Sequence, residues 1–174
     1  RVQIDVVDGR LAPSASWPYT ATEEFKDMIR SGKMLPALDH IAYEIDLMCF
    51  DALSAAEAWL AFGATRLTFH IESAPDLSRL FAAVRDRYGS FVSFGLALNA
   101  TSDLSVVRPC LGESEYVQFM GIAQIGKQGE PFDERVLAKI ETFRKLYPTL
   151  SYQVDGGVTL ENAKKLLARG VTNL

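Results

Sequence analysis

Two acidic motifs stand far apart in this chain: Val2-Gln3-Ile4-Asp5-Val6-Val7-Asp8-Gly9 near the start and Tyr152-Gln153-Val154-Asp155-Gly156-Gly157 near the end. Each puts an aspartate at or near the carboxyl end of a β-rich run, followed by glycine, which lets the backbone turn sharply or approach a ligand closely. Two carboxylates facing each other across a pocket can take a proton from one face of a carbon and return one to the other face. That chemistry inverts a stereocentre.

Such groups act together only if the elements between them bring them to one place. Strand patterns cover Val2–Val7, Ile41–Met48, Arg66–Glu72, Phe91–Leu98, Tyr116–Ile122 and Ser151–Val154, and a last one begins at Val171. Helical patterns lie between them at Thr22–Ser31, Ser54–Phe62, Ala74–Tyr88, Ser102–Leu111, Asp133–Tyr147 and Thr159–Arg169. In the fifth helix Val136, Ile140, Phe143 and Leu146 share one face, while Lys139, Glu141 and Lys145 face water. Gly32, Gly63 and Gly170 follow the last periodic residues of their helices, where a left-handed end is favoured. Repeated strand–helix–strand units require parallel strands joined by right-handed crossovers.

Composition bounds the function. The 174 residues, 48% hydrophobic and 23% charged, suit one globular domain with a sizeable core. A formal charge of −4 and a pI near 5.2, with scattered Lys and Arg, provide no basic field, so no nucleic-acid partner is expected. Cys49 and Cys110 have neither paired CxxC spacing nor the density of a stapled secreted fold, which points to a reduced, cytoplasmic setting. No apolar run approaches membrane-spanning length and no signal peptide is visible, so no membrane partner is expected.

The alternation fits either an open doubly wound sheet or an α/β (β/α)8 TIM barrel, and periodicity does not separate them. Acidic residues and glycine turns at the carboxyl ends of strands favour the barrel, whose active sites are built there. Asp5, Asp8, Asp46, Glu72, Asn99 and Asp155 all lie at or near such ends. Residues 1–174 are then a single barrel domain incomplete at both ends, the first βα unit and the C-terminal end being absent from the chain. The chain also opens directly in a strand pattern without an initiator Met.

Six segments carry a resemblance: IDVVDGRLAPS (Ile4–Ser14), IDLM (Ile45–Met48), FGATRLTFHIES (Phe62–Ser73), GLALNATSDL (Gly95–Leu104), QFMGIAQIGKQGEPF (Gln118–Phe132) and VDGGVTLENAKKLLARGVTNL (Val154–Leu174). In this order the chain resembles the ribulose-phosphate 3-epimerase family of the ribulose-phosphate-binding barrels, as a diverged member. The resemblance implies a homo-oligomer acting on a small-molecule sugar phosphate, with Asp5 and Asp155 as the acid/base pair. They would epimerise a pentulose 5-phosphate at C3 through an enediolate, whose oxygens the family holds with a divalent metal bound by two aspartates and two histidines.

This chain departs from that metal set. Gln3 stands where the family has one histidine and Asp46 where it has the other. Asp5, Asp46 and Asp155, helped by the Gln3 amide oxygen, would form an all-oxygen site suited to Mg²⁺ or Mn²⁺ rather than Zn²⁺. The other reading is a metal-free site in which converging carboxylates repel until at least one stays protonated near neutral pH. His40 reads as a solvated residue before a strand, and His70, matching a histidine in the family's TFH segment, as a structural or outer-shell residue.

The resemblance also implies a phosphate grip. Gly126, Lys127 and Gly129 can cradle an anion or form a plain loop, and Gly156 and Gly157 permit close backbone approach. Met48 and Met120 fit the family's hydrophobic layer beneath the substrate, though core packing explains them equally. Asn99 either reaches the pocket from its strand end or shapes a loop, and Asp8 reads as a turn or capping residue. The string Asp46-x-Met48-x-x-Asp51 is similar to the D-x-K-x-x-D of the hexulose-phosphate synthase and orotidine-phosphate decarboxylase relatives, but the required lysine is methionine. Besides epimerisation, a sibling barrel enzyme with a different sugar substrate and a non-catalytic paralogue remain as alternatives.

Overall fold

The computed structural model describes residues 1–74 and 76–174; position 75, inside the helix expected over Ala74–Tyr88, lies outside the described residues. Six strands, β1 (Val2–Val7), β2 (Tyr43–Met48), β3 (Arg66–His70), β4 (Ser93–Leu98), β5 (Tyr116–Met120) and β6 (Ser151–Asp155), form one parallel sheet in sequential order. Five α-helices alternate with them: α1 (Thr22–Arg30), α2 (Ala52–Ala61), α3 (Leu77–Tyr88), α4 (Arg135–Leu146) and α5 (Leu160–Ala168). A doubly wound sheet reverses its strand order part-way, and this one does not.

The sheet also curls. Neighbouring strands stand about 4.8 Å apart, so in a flat sheet β2 and β6 would be separated by about 19 Å. Yet Gln153 on β6 hydrogen-bonds directly to Glu44 on β2, and Arg66 on β3 donates to Gln153 Oε1 at 3.2 Å. The fold is a TIM-barrel-like α/β half-barrel with its helices outside.

Strand alternation sorts the residues into two layers. Outward positions such as Ile45, Leu47, Leu67, Phe69, Phe94, Leu96, Val117 and Phe119 are completely buried under the helices. They meet Phe25 of α1, Ala56 and Trp59 of α2, Phe81 and Val84 of α3, Val136, Ile140 and Phe143 of α4, and Leu166 of α5. Trp17, Phe25, Trp59 and Phe62 form an edge-on aromatic cluster, with Trp17 and Phe25 centroids 5.0 Å apart. Trp59 thus belongs to the core. Many inward positions are instead polar, among them Gln3 and Asp5, Glu44 and Asp46, Arg66, Thr68 and His70, Gln118, Gln153 and Asp155, with Val7, Met48 and Met120 at the carboxyl ends of their strands as apolar exceptions.

Two expected elements differ. The segment expected as a helix over Ser102–Leu111 is a 3₁₀ run, Leu104–Glu113, because Pro109 lacks the N–H and crowds the turn that an α-helix needs. The strand expected from Val171 is reduced to one parallel bridge between Asn173 and Gln153, with Thr172 N–H donating to Tyr152 O at 2.9 Å. No helix among the described residues is long and apolar enough to cross a membrane.

Candidate active site

Register brings the aspartates together. Asp5 on β1 pairs directly with Asp46 on β2, and the curl carries Asp155, the last residue of β6, to the same side. One carboxylate oxygen from each of the three lies within 4.8 Å of the others. Asp5 is exposed along β1, which has β2 on one side only, Asp155 is half-buried and Asp46 is fully buried.

Asp5 and Asp155 line a cavity of about 350 Å³ at the carboxyl ends of the strands. Its apolar side is made by Val7, Met48, Met120 and Ile122, and its upper wall by Gly126, Lys127, Gln128, Gly129 and Glu130 with Gly156 and Gly157. Ile122 bridges antiparallel to Phe132, closing the loop that carries Gly126 and Gly129. Gly157 has φ +66°, and a Cβ there would lie 2.8 Å from Phe132 Cα, so only glycine lets the β6 turn pass this loop. Thr159 and Asn162 cap α5 reciprocally, and Asn162 Nδ2 donates to Gly157 O at 3.0 Å, tying the turn to the helix.

Asp46 does not line this cavity. Its Oδ1 meets His70 Nε2 at 2.9 Å and its Oδ2 accepts from Gln118 Nε2 at 2.8 Å. His70, expected in a supporting role, is buried beside it. Gln3 uses its N–H rather than its carbonyl oxygen, donating to Asp5 Oδ1 at 3.1 Å. Asn99 lies outside the cavity lining: Nδ2 donates to Glu72 Oε1 at 3.0 Å, and its backbone carbonyl accepts from Lys139 at 2.7 Å, so it shapes the loop after β4. Asp8 accepts from the N–H groups of Arg10, Leu11 and Phe50 at 2.7–2.9 Å, the turn role its position suggests. His40 is exposed beside Asp39.

The site's electrostatics follow from crowding. Burial, then the Asp5 and Asp46 carboxylates, push Asp155 from its ordinary 3.8 up to about 7, against the opposing effects of His70 and the Gly156 N–H. Although the residue is exposed along β1, crowding around its carboxyl group, then Asp46, also raise Asp5, while the Gln3 hydrogen bond works the other way. For His70 burial disfavours the imidazolium, but the charge and hydrogen bond of Asp46 outweigh it and the net direction is upward. Asp155 is therefore poised to gain or lose a proton near neutrality.

The three carboxylates are close enough together that they could share one cation. Oxygens that share one cation at about 2.1–2.4 Å lie no more than about 4.8 Å apart, and the three carboxylates fall within that limit. An all-oxygen donor set suits Mg²⁺ or Mn²⁺ better than Zn²⁺.

Sequence reasoning missed Val7, Ser14, Ser16, Ile122, Gln128 and Glu130 as lining residues. Ser16 was legible only from the fold: its Oγ accepts the Val7 N–H at 2.9 Å and so holds the end of β1. Gln118 and Gln153 carry a visible signal, polar residues at inward positions of otherwise apolar strands.

The family model described as the Ribulose-phosphate 3 epimerase family matches residues 2–174. The chain is 32% identical over 160 residues to the ribulose-phosphate 3-epimerase of Schizosaccharomyces pombe, covering 92% of this chain and 65% of that protein. It is 24% identical over 173 residues to the ribulose-phosphate 3-epimerase of Treponema pallidum, covering 97% and 73%. With the chloroplastic ribulose-5-phosphate-3-epimerase of Arabidopsis thaliana it shares 26% identity over 177 residues, covering 99% of this chain and 59% of the plant protein. The chain thus spans just under two thirds of the yeast relative's length. With a match across nearly every residue and the strand-end aspartates in one curled parallel sheet, the chain belongs to the ribulose-phosphate 3-epimerase family.

Proposed function

We propose that this chain carries epimerase chemistry on a pentulose 5-phosphate or related keto-sugar phosphate, with Asp5 and Asp155 exchanging the C3 proton on opposite faces. The observation that carries this reading is that the two carboxylates, from the two ends of the sheet, line one cavity whose lower wall is apolar. A two-base inversion needs one acid protonated while the other is ionised. Crowding favours that division, because Asp155 is held up to about 7 by burial and its anionic neighbours. Met48, Met120 and Ile122 offer an apolar floor to the carbon skeleton and limit water around the reacting carbon.

The Gly126–Gly129 loop and the Gly156–Gly157 turn offer close backbone approach to the phosphate, and Lys127, whose Nζ also donates to Gln124 Oε1 at 2.8 Å, offers a cation. Asp5, Asp46 and Asp155 would hold a divalent cation, which when bound supplies electrophilic stabilisation to the oxygens of the enediolate. Asp46 also sets the charge that both acid/base residues feel.

Replacing either base separates exchange from inversion. Asp5→Asn and Asp155→Asn should each lose interconversion of the C3 epimers, while each keeps solvent exchange from only the face its remaining carboxylate serves. Interconversion by both variants at wild-type rates would refute the two-base assignment.

A further inference from the structure

Asp46 sits at the end of a directed chain of hydrogen bonds that begins at a cation on another strand. Arg66 Nη2 donates to Gln153 Oε1 at 3.2 Å, Gln153 Nε2 donates to Gln118 Oε1 at 2.6 Å, and Gln118 Nε2 donates to Asp46 Oδ2 at 2.8 Å. The direction is dictated by the cationic end. A guanidinium has only donors, so Gln153 must turn its oxygen toward Arg66 and its nitrogen toward Gln118, and Gln118 in turn presents its nitrogen to Asp46. Each amide dipole is then aligned, and such chains reinforce one another in a low-dielectric interior.

The starting cation is clamped. Arg66 Nε also donates to Glu44 Oε2 at 2.8 Å, and its guanidinium carbon lies 3.3 Å from the centroid of the Tyr116 ring. That ring fits because residue 95 is glycine: a Cβ there would lie 2.1 Å from it. Gln118 and Gln153 are 0% and 3% exposed, although both border a polar cleft that Asp5 and Asp155 also line. His70 takes the other oxygen of Asp46, leaving the carboxylate fixed in plane.

The structure assigns Gln118 and Gln153 as positioning residues that lock the Asp46 carboxylate behind Asp5 and Asp155, an inference that rests on the epimerase reading for its catalytic consequence. Neither amide lines the cavity floored by Met48 and Met120, though both border the adjoining cleft; Gln118 acts on Asp46 directly and Gln153 acts through Gln118.

The test uses the whole chain with ribulose 5-phosphate and added Mg²⁺. Gln118→Leu should lower kcat about tenfold to a hundredfold, the loss of one charge-assisted hydrogen bond, with KM within about twofold. A kcat within about twofold of wild type would overturn the inference. Gln118→Met, which keeps the volume without the amide and leaves Asp46 in place, should hold thermal stability closer to wild type than Gln118→Leu while losing kcat to the same extent; kcat that recovers along with stability would reduce Gln118 to a structural role. A third readout needs neither activity nor the leucine variant to fold. In ¹⁵N-labelled protein, Asp46→Asn should move the Gln118 side-chain NH₂ resonances upfield, and unchanged resonances would overturn the inference. If the wild type exchanges no C3 proton, the epimerase reading falls while this spectrum still decides the positioning.

Discussion

Replacing Asp155 by asparagine should stabilise the cation-free protein as pH rises, while removing one of its two proposed bases. Asp155 has its folded-state proton affinity raised from 3.8 to about 7, chiefly by burial. Between those values the folded protein binds more protons than the unfolded chain, so stability falls as pH rises through that window and levels off above about 7. The penalty is below about 1 kcal/mol at pH 4 and reaches about 4 kcal/mol at pH 8, taking about 1.4 kcal/mol for each tenfold change in proton affinity. Asparagine keeps the shape and removes the ionisation. In a chelator-treated pair of proteins, the variant should gain about 3 kcal/mol on the wild type between pH 4 and pH 8, or about 6–12 °C in melting temperature for a chain of this size. Circular dichroism melts at both pH values read the difference directly. A gap between the two proteins that does not change with pH would refute the electrostatic account of Asp155.

Two further substitutions probe the scaffold. Gly157→Ala should cost at least about 2 kcal/mol by urea denaturation, because it combines φ +66° with a Cβ 2.8 Å from Phe132 Cα; a neutral effect would mean that this loop does not press on the β6 turn. Trp59→Ala should cost about 3–5 kcal/mol, since the side chain is 1% exposed and packed edge-on against Trp17 and Phe62, yet leave kcat of the surviving folded fraction unchanged. A fall in kcat per folded molecule would show that the outer layer is coupled to the site.

Much of this arrangement was legible in the sequence, and the reasons are physical. β1 begins and ends at the expected Val2 and Val7 because its edges coincide with a break in β-rich composition and a glycine turn. Periodicity could not choose between barrel and open sheet, since both need the same alternation; strand order and the Gln153–Glu44 contact decide it. The 3₁₀ run at Leu104–Glu113 was misread because its apolar spacing mimics a helix until Pro109 is weighed. Asp5 and Asp155 were picked out by their strand-end settings and do share a cavity. Asn99 was ambiguous because a strand-end amide serves a loop or a pocket equally well, and here Glu72 takes its side chain. The Arg66–Gln153–Gln118–Asp46 chain joins residues up to 87 positions apart, a pairing that depends on the degree of curl and leaves no local pattern.

The proposed function requires this chain to move the C3 proton of a pentulose 5-phosphate. The most direct measurement follows ribulose 5-phosphate by NMR in D₂O with the wild-type protein, with and without added Mg²⁺ or Mn²⁺. Deuterium should enter at C3 and the second epimer should appear with it. Folded protein that, with either cation present, leaves the C3 proton untouched would contradict the account.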